Sequence, residues 1–262
     1  MNLRLRAYDL VLKTLVCLST TLILSHAQAA IFEDTEEDKD VVEDYRGASD
    51  LVELHTPVEI DAPYRERRNT HGFLFGLYYE NIILDRYVSI LDGATFYQDM
   101  FGESEFPLFN LELSYKYNFS LGALTASFGG GYGEIKDDGS GVMRSLAMTK
   151  YQASVGYIMD TLFEEPYGAP YFSVGIMRVS IDEDNSVETL GHDIDMLYHL
   201  QAGVMFQLNW LDSAVARKSL VDYGLQNTYL DVFVSQYSAS ESEDDPDTST
   251  EYTIGAGLRL EY

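Results

Sequence analysis

The sequence predicts an all-β protein: a closed antiparallel eight-stranded transmembrane β-barrel behind an acidic N-terminal arm. Three observations carry the prediction. From His71 onward, apolar and polar residues alternate with period two over eight successive stretches, as strands with one apolar face require. Tight turns alternate with long polar loops between these stretches, the layout of membrane barrels. The polar face is rich in Gly (Gly76, Gly129, Gly131, Gly156, Gly203, Gly255, Gly257), which suits a narrow eight-strand lumen.

The elements follow in order. Residues 1–29 have the three parts of a secretory signal: Arg4, Arg6 and Lys13, an apolar core from Leu15 to Leu24, and Ala27-Gln28-Ala29 before the expected cleavage. The core is too short for a permanent span, and Val16 before Cys17 argues against a lipid anchor. Residues 30–70 form the arm, dense in Asp and Glu and offset only by Lys39, Arg46, Arg65, Arg67 and Arg68. Such composition favours a largely flexible periplasmic segment. Leu51 to Ile60 is its one candidate strand, and Arg65, Arg67 and Arg68 could meet anionic headgroups.

The barrel is expected over 71–262. Phe73 to Glu80 opens it, followed by Phe109 to Phe119, Leu124 to Tyr132, Ala147 to Tyr157, and about Ala169 to Ile181. The facing of this fifth strand is open, because Arg178 shares the parity of Phe172, Val174 and Ile176. Asp195 to Trp210, Tyr229 to Ser235 and Tyr252 to Tyr262 complete the set. Turns fall at 120–122, 161–168 and 211–225, and 211–222 has helical spacing. The loops at 83–106, 135–141, 182–193 and 238–250 hold the most acidic stretches. The first of these has room for an extra hairpin and hence ten strands.

The closing segment Tyr252-Thr-Ile-Gly-Ala-Gly-Leu-Arg-Leu-Glu-Tyr262 alternates up to a terminal aromatic. With the strand and loop pattern, it resembles the small eight-stranded bacterial outer-membrane β-barrel proteins, the OmpA membrane-domain and OmpX class, with OmpW-like proteins as cousins. That family more often ends in Phe. The resemblance implies export by a cleaved signal peptide, a monomer in the outer membrane among its lipids and lipopolysaccharide, and an assembly machinery that reads the last strand.

With the apolar face outward, Glu80, Glu112, Lys116, Lys150, His199, Asp231, Arg259 and Glu261 converge on the lumen. Charges enclosed there need partners, so a luminal network that plugs the barrel is expected. Tyr79, Tyr117, Phe119, Tyr157, Trp210 and Tyr262 stand near strand ends as interfacial aromatics.

No catalytic, metal or cofactor site is expected. His71, His192 and His199 are followed two residues later by Phe73, Ile194 and Gln201, so no His–Ser pair shares a strand face. His192 and Asp193 are adjacent and face apart. The acidic 241–251 loop offers oxygen donors but lacks the turn Gly of a calcium loop. A formal charge of −26 excludes sequence-independent nucleic-acid binding. The expected function is therefore non-enzymatic, serving envelope integrity or surface interaction through acidic loops. An OmpW-like conduit for small apolar molecules and a soluble lipocalin-like binding barrel are the alternatives.

Overall fold

A computed structural model describes residues 62–102, 105–137 and 143–262. The signal segment, the arm as far as residue 61 and the candidate strand at 51–60 lie outside the described residues. Eight strands, β1 (His71–Ile82), β2 (Phe106–Phe119), β3 (Gly122–Lys136), β4 (Ser145–Ile158), β5 (Gly168–Asp184), β6 (Thr189–Gln207), β7 (Asn227–Tyr237) and β8 (Thr253–Glu261), pair in sequence order into a closed barrel. The seam joins β1 to β8 antiparallel, from Leu74 opposite Glu261 to Asn81 opposite Ile254. Closure removes the free strand edges through which sheets aggregate. The 83–105 loop contains no further strand pair among the described residues. Its only bridge, Val88 to Phe96, precedes a single helical turn, α2 (Tyr97–Phe101).

The apolar faces point outward. Phe73, Phe75 and Leu77 on β1, Phe109, Leu111 and Leu113 on β2, and Leu200 on β6 are all exposed, whereas Lys116, Lys150 and Arg259 are buried inside. Water would penalise a belt of this extent, and a soluble lipocalin-like barrel has the opposite arrangement. The belt is the surface of a transmembrane barrel. Among the described residues no helix is long and apolar enough to cross a membrane; strands do the crossing.

The strands outrun the belt on the loop side, and there their polarity reverses. On β5, Phe172, Val174 and Ile176 face outward, and on the same exposed parity come Arg178 and Asp182. The opposite parity runs from Ser173 and Gly175 to buried Met177, Val179 and Ile181. The ambiguity about this strand is thus resolved without any change of face. Where lipid gives way to water, the apolar residues must move from the outside of the wall to the inside.

The luminal faces of β2, β4 and β6 are not polar throughout. Their loop-side ends carry Phe106, Leu108, Leu146, Met148, Ile194 and Leu197 inward. Leu84, Tyr87, Tyr97, Met100 and Phe101 from the 83–105 loop pack onto them, making an apolar core above the belt. A shift in the β5–β6 register between Met177 and Val179 accompanies the change, as bulges do where a strand redirects its side chains.

One correction concerns the arm. Its last residues, 62–70, belong to the barrel body. Pro63 sets up one helical turn, α1 (Tyr64–Arg67), whose Tyr64 is buried. The Tyr64 amide donates to Glu165 Oε1 at 2.8 Å, and the Arg65 amide to the Glu164 carbonyl at 3.2 Å. Of the three arginines expected at headgroups, only Arg65 is exposed. Arg67 approaches Glu165 (3.6 Å), and Arg68 reaches into the barrel wall.

At the same end, α3 (Ser213–Tyr223) occupies the β6–β7 connection. Asp212 caps it by accepting from the Val215 amide at 3.0 Å. Gly224, at φ +71°, ends it and returns its N–H to the Leu220 carbonyl.

Candidate functional site

The lumen is filled by three stacked charge clusters, each tied to a different set of strands. The turn-side cluster centres on Lys116 of β2. Its Nζ lies 2.5 Å from Glu261 Oε1, 2.7 Å from Asp160 Oδ2 and 2.7 Å from the Tyr64 hydroxyl. Tyr64 donates to Glu261 Oε1 (2.6 Å) from its position in α1. Glu261 also accepts from Asn227 (2.8 Å) and Tyr229 (2.7 Å). Arg68 donates to Asp160 Oδ1 (2.7 Å) and to the Phe119 carbonyl. Two carboxylates thus face two cations here, with α1 sealing the opening beneath them.

The middle cluster centres on Arg259 of β8. Its Nε donates to Asp231 Oδ2 at 2.7 Å, and Nη1 lies 3.3 Å from Glu112 Oε1. The guanidinium stacks 4.8 Å from the Tyr171 ring centroid and 5.4 Å from that of Tyr78, geometry in which the ring quadrupole adds to the ion pairs. Tyr171 donates to Asp231 (3.0 Å), and Gln152 donates to Glu112 (3.2 Å). Two glycines make room for the aromatics. A Cβ on Gly257 would stand 2.2 Å from the Leu77 carbonyl oxygen, and one on Gly255 would stand 2.2 Å from the Phe233 ring.

The upper cluster pairs Lys150 with Glu80 at 2.6 Å. Glu80 also accepts from Tyr237 (2.6 Å), Asn110 (3.0 Å) and Ser235 (3.1 Å). His199 is buried beside the Tyr237 ring, and neither of its ring nitrogens has a partner among the described residues.

Every luminal charge singled out by parity therefore lies inside the barrel, and the structure distributes them over the three layers. Sequence reasoning missed Asp160, Tyr64 and Tyr171. Asp160 was within reach, since it continues the luminal parity of Gln152, Ser154 and Gly156 two residues past the end of β4. No periodic signal could have found Tyr64, which comes from outside the strands.

Above the clusters, Glu183 joins the 83–105 loop to the wall. It is fully buried and accepts from Tyr87 Oη (3.0 Å), Ser89 Oγ (2.7 Å) and the Ile90 amide (2.9 Å), with Arg144 3.4 Å away. Arg144 also binds Asp92 at 2.8 Å. Hydrogen bonds from Arg144 and Thr95 hold the Asp92 carboxyl well below its ordinary range. A lowered carboxylate pKa contributes stability above the unfolded value and loses it as pH falls through the folded one. The Arg144–Asp92 pair is therefore complete at neutral pH, and its contribution is lost as the pH falls through the lowered pKa of Asp92.

Glu183→Ala removes an acceptor whose hydrogen bonds are worth about 1.5–3 kcal/mol each. The 83–105 loop should then open at least about tenfold more often, which limited proteolysis between residues 84 and 102 would report. Cleavage no faster than in the parent would show that apolar packing alone holds the loop.

Of the interfacial aromatics, Tyr79, Tyr117, Trp210 and Tyr262 are exposed on the outside, and Phe119 and Tyr157 are half-buried there. Tyr79 packs on Phe109 (4.9 Å), and Tyr157 donates to the Leu121 carbonyl. Tyr132, Tyr151 and Tyr198 are likewise exposed near the loop-side edge of the belt. In the acidic loop, Asp245 accepts from His192 (2.8 Å), Ser240 (2.5 Å) and the Asp195 amide (2.9 Å). Desolvation raises the Asp245 pKa, but these three donors outweigh it and leave the carboxyl below its ordinary value.

No protein-family model and no curated protein matches the chain. Among solved structures it is similar to Neisserial surface protein A (12% identity, covering 74% of this chain and 96% of that one, TM-score 0.40). It is similar to Ail, the attachment invasion locus protein of Yersinia pestis (15%, 73% and 99%, TM-score 0.41). It is also similar to the outer membrane protein OprG from Pseudomonas aeruginosa (11%, 74% and 97%, TM-score 0.45). The fold assignment rests on the strand pairing itself.

Proposed function

We propose that this protein is a closed, non-conducting and non-catalytic barrel of the bacterial outer membrane. It reinforces the envelope and presents acidic loops at the cell surface. One observation carries the reading: the lumen is shut at both ends by the chain's own residues. Tyr64 and the Lys116 cluster close the turn side, and the apolar core under the 83–105 loop closes the other. Between them lie paired charges, and eight strands leave a bore only wide enough for side chains.

The conduit alternative would need a gap in the wall, but all eight neighbouring strand pairs are hydrogen-bonded. The loop-side ends supply the display surface. Asp182, Asp184 and Glu188 surround the β5–β6 hairpin, and Glu241, Glu243 and Asp244 follow β7. The 30–61 segment, on this reading, is a periplasmic arm released after the signal is cleaved.

Planar-bilayer recording tests the closure. Purified protein inserted at single-molecule density should give no discrete conductance steps, in Tyr64→Ala as in the parent, because the upper core remains. Reproducible steps in the parent would overturn the reading.

A further inference from the structure

The outer wall carries one concavity that its girdle and belt do not require. It measures about 310 Å³ and opens toward lipid across β3 to β6, a volume at the lower end of small-ligand sites. Its origin is local. Phe128, Ala153 and Ile176 stand in register across three strands, and Ala153 leaves a trough between its larger neighbours. Met196 forms the far wall, and Tyr151 and Arg178, themselves in register, stand at the rim.

Arg178 is exposed on the outward parity at the point where apolar residues give way to polar ones. It makes no hydrogen bond or ion pair with any described residue. Lys136 pairs with Glu134 and Arg144 with Asp92 and Glu183, while Arg86, exposed like Arg178, stands in the 83–105 loop and does not line the trough. A trough lined by apolar side chains inside the belt, ending at a free guanidinium at headgroup level, has the shape and charge to hold one acyl chain and one phosphate of a lipid. Asp195 lines the same concavity, and its carboxylate opposes an anion there.

Resting on the outer-membrane reading above, we propose that the β3–β6 trough is a specific site for lipopolysaccharide. One acyl chain lies against Ala153 and Ile176, and a lipid A phosphate is held by Arg178 through charge-assisted hydrogen bonds.

Native mass spectrometry of the full chain tests this after passage through nanodiscs of phosphatidylcholine doped with lipid A, or with phosphatidylglycerol at equal charge. The parent should retain one lipid A. Arg178→Gln should lower that occupancy about tenfold, and Ala153→Phe should abolish it by filling the trough. Asp195→Asn should raise it, a gain that mere loss of folding cannot mimic. Barrel integrity in each variant is read from the change in gel mobility on boiling.

A parent that inserts and shows the mobility change but keeps no lipid A overturns the site and leaves the closed-barrel reading standing. So does equal retention in Arg178→Gln, or Arg178-dependent retention of phosphatidylglycerol at the same level. A parent that does not insert overturns both.

Discussion

Lys116→Met is expected to destabilise the barrel by about 3–5 kcal/mol, the cost of leaving a buried carboxylate without its cation. Lys116 is completely buried and is the shared partner of Glu261, Asp160 and Tyr64. Arg68 still neutralises Asp160 in the variant, so the loss falls on Glu261, which keeps only the neutral donors Asn227, Tyr229 and Tyr64. Reversible urea unfolding in lipid vesicles, followed by tryptophan emission from Trp210 and by gel mobility, would measure it.

The control is the double variant Lys116→Met with Glu261→Gln. Removing both members of a buried pair is often close to neutral, so most of the lost stability should return. A single variant as stable as the parent would mean that the turn-side cluster is hydrated and that α1 seals nothing.

The second large effect comes from the opposite face of the same strand. Leu113→Arg should cost about 2–4 kcal/mol in a bilayer, the penalty for a cation on a barrel's lipid face near the midplane. Leu113 is 55% exposed and sits midway along the outward row from Phe109 to Tyr117. The same change in a water-facing wall would fall within about 0.5 kcal/mol of neutral. Unfolding in vesicles of fixed thickness therefore reads the direction of the face independently of any contact. A neutral result would sink the transmembrane assignment.

These two substitutions are three residues apart in sequence and act through different solvents. Lys116 faces a lumen where every charge must find a protein partner. Leu113 faces hydrocarbon, where no partner is needed. Between them they probe the polarity of the wall over the depth of the belt.

Much of this architecture was written in local pattern. Period-two alternation reports which residues share a face, because successive Cβ atoms of a strand point to opposite sides whatever the strand packs against. Strand order, the position of the turns and the inward charges followed from it. The 3.6-residue spacing at 211–222 was legible separately, as a helix close to the observed 213–223.

Three things were decided only by the closed structure. The partner of each luminal charge depends on stagger around the ring: Glu80 meets Lys150 across the bore, 70 residues away in sequence, and alternation holds no information about that distance. Tyr64 reaches the lumen from a segment whose composition alone reads as solvated, because one aromatic entering a charged cavity outweighs the surrounding acids. The reversal of polarity along β5 and β6 depends on where the membrane ends. A strand records the contrast between its two faces, but which of them meets water changes along its length once the barrel stands in a bilayer.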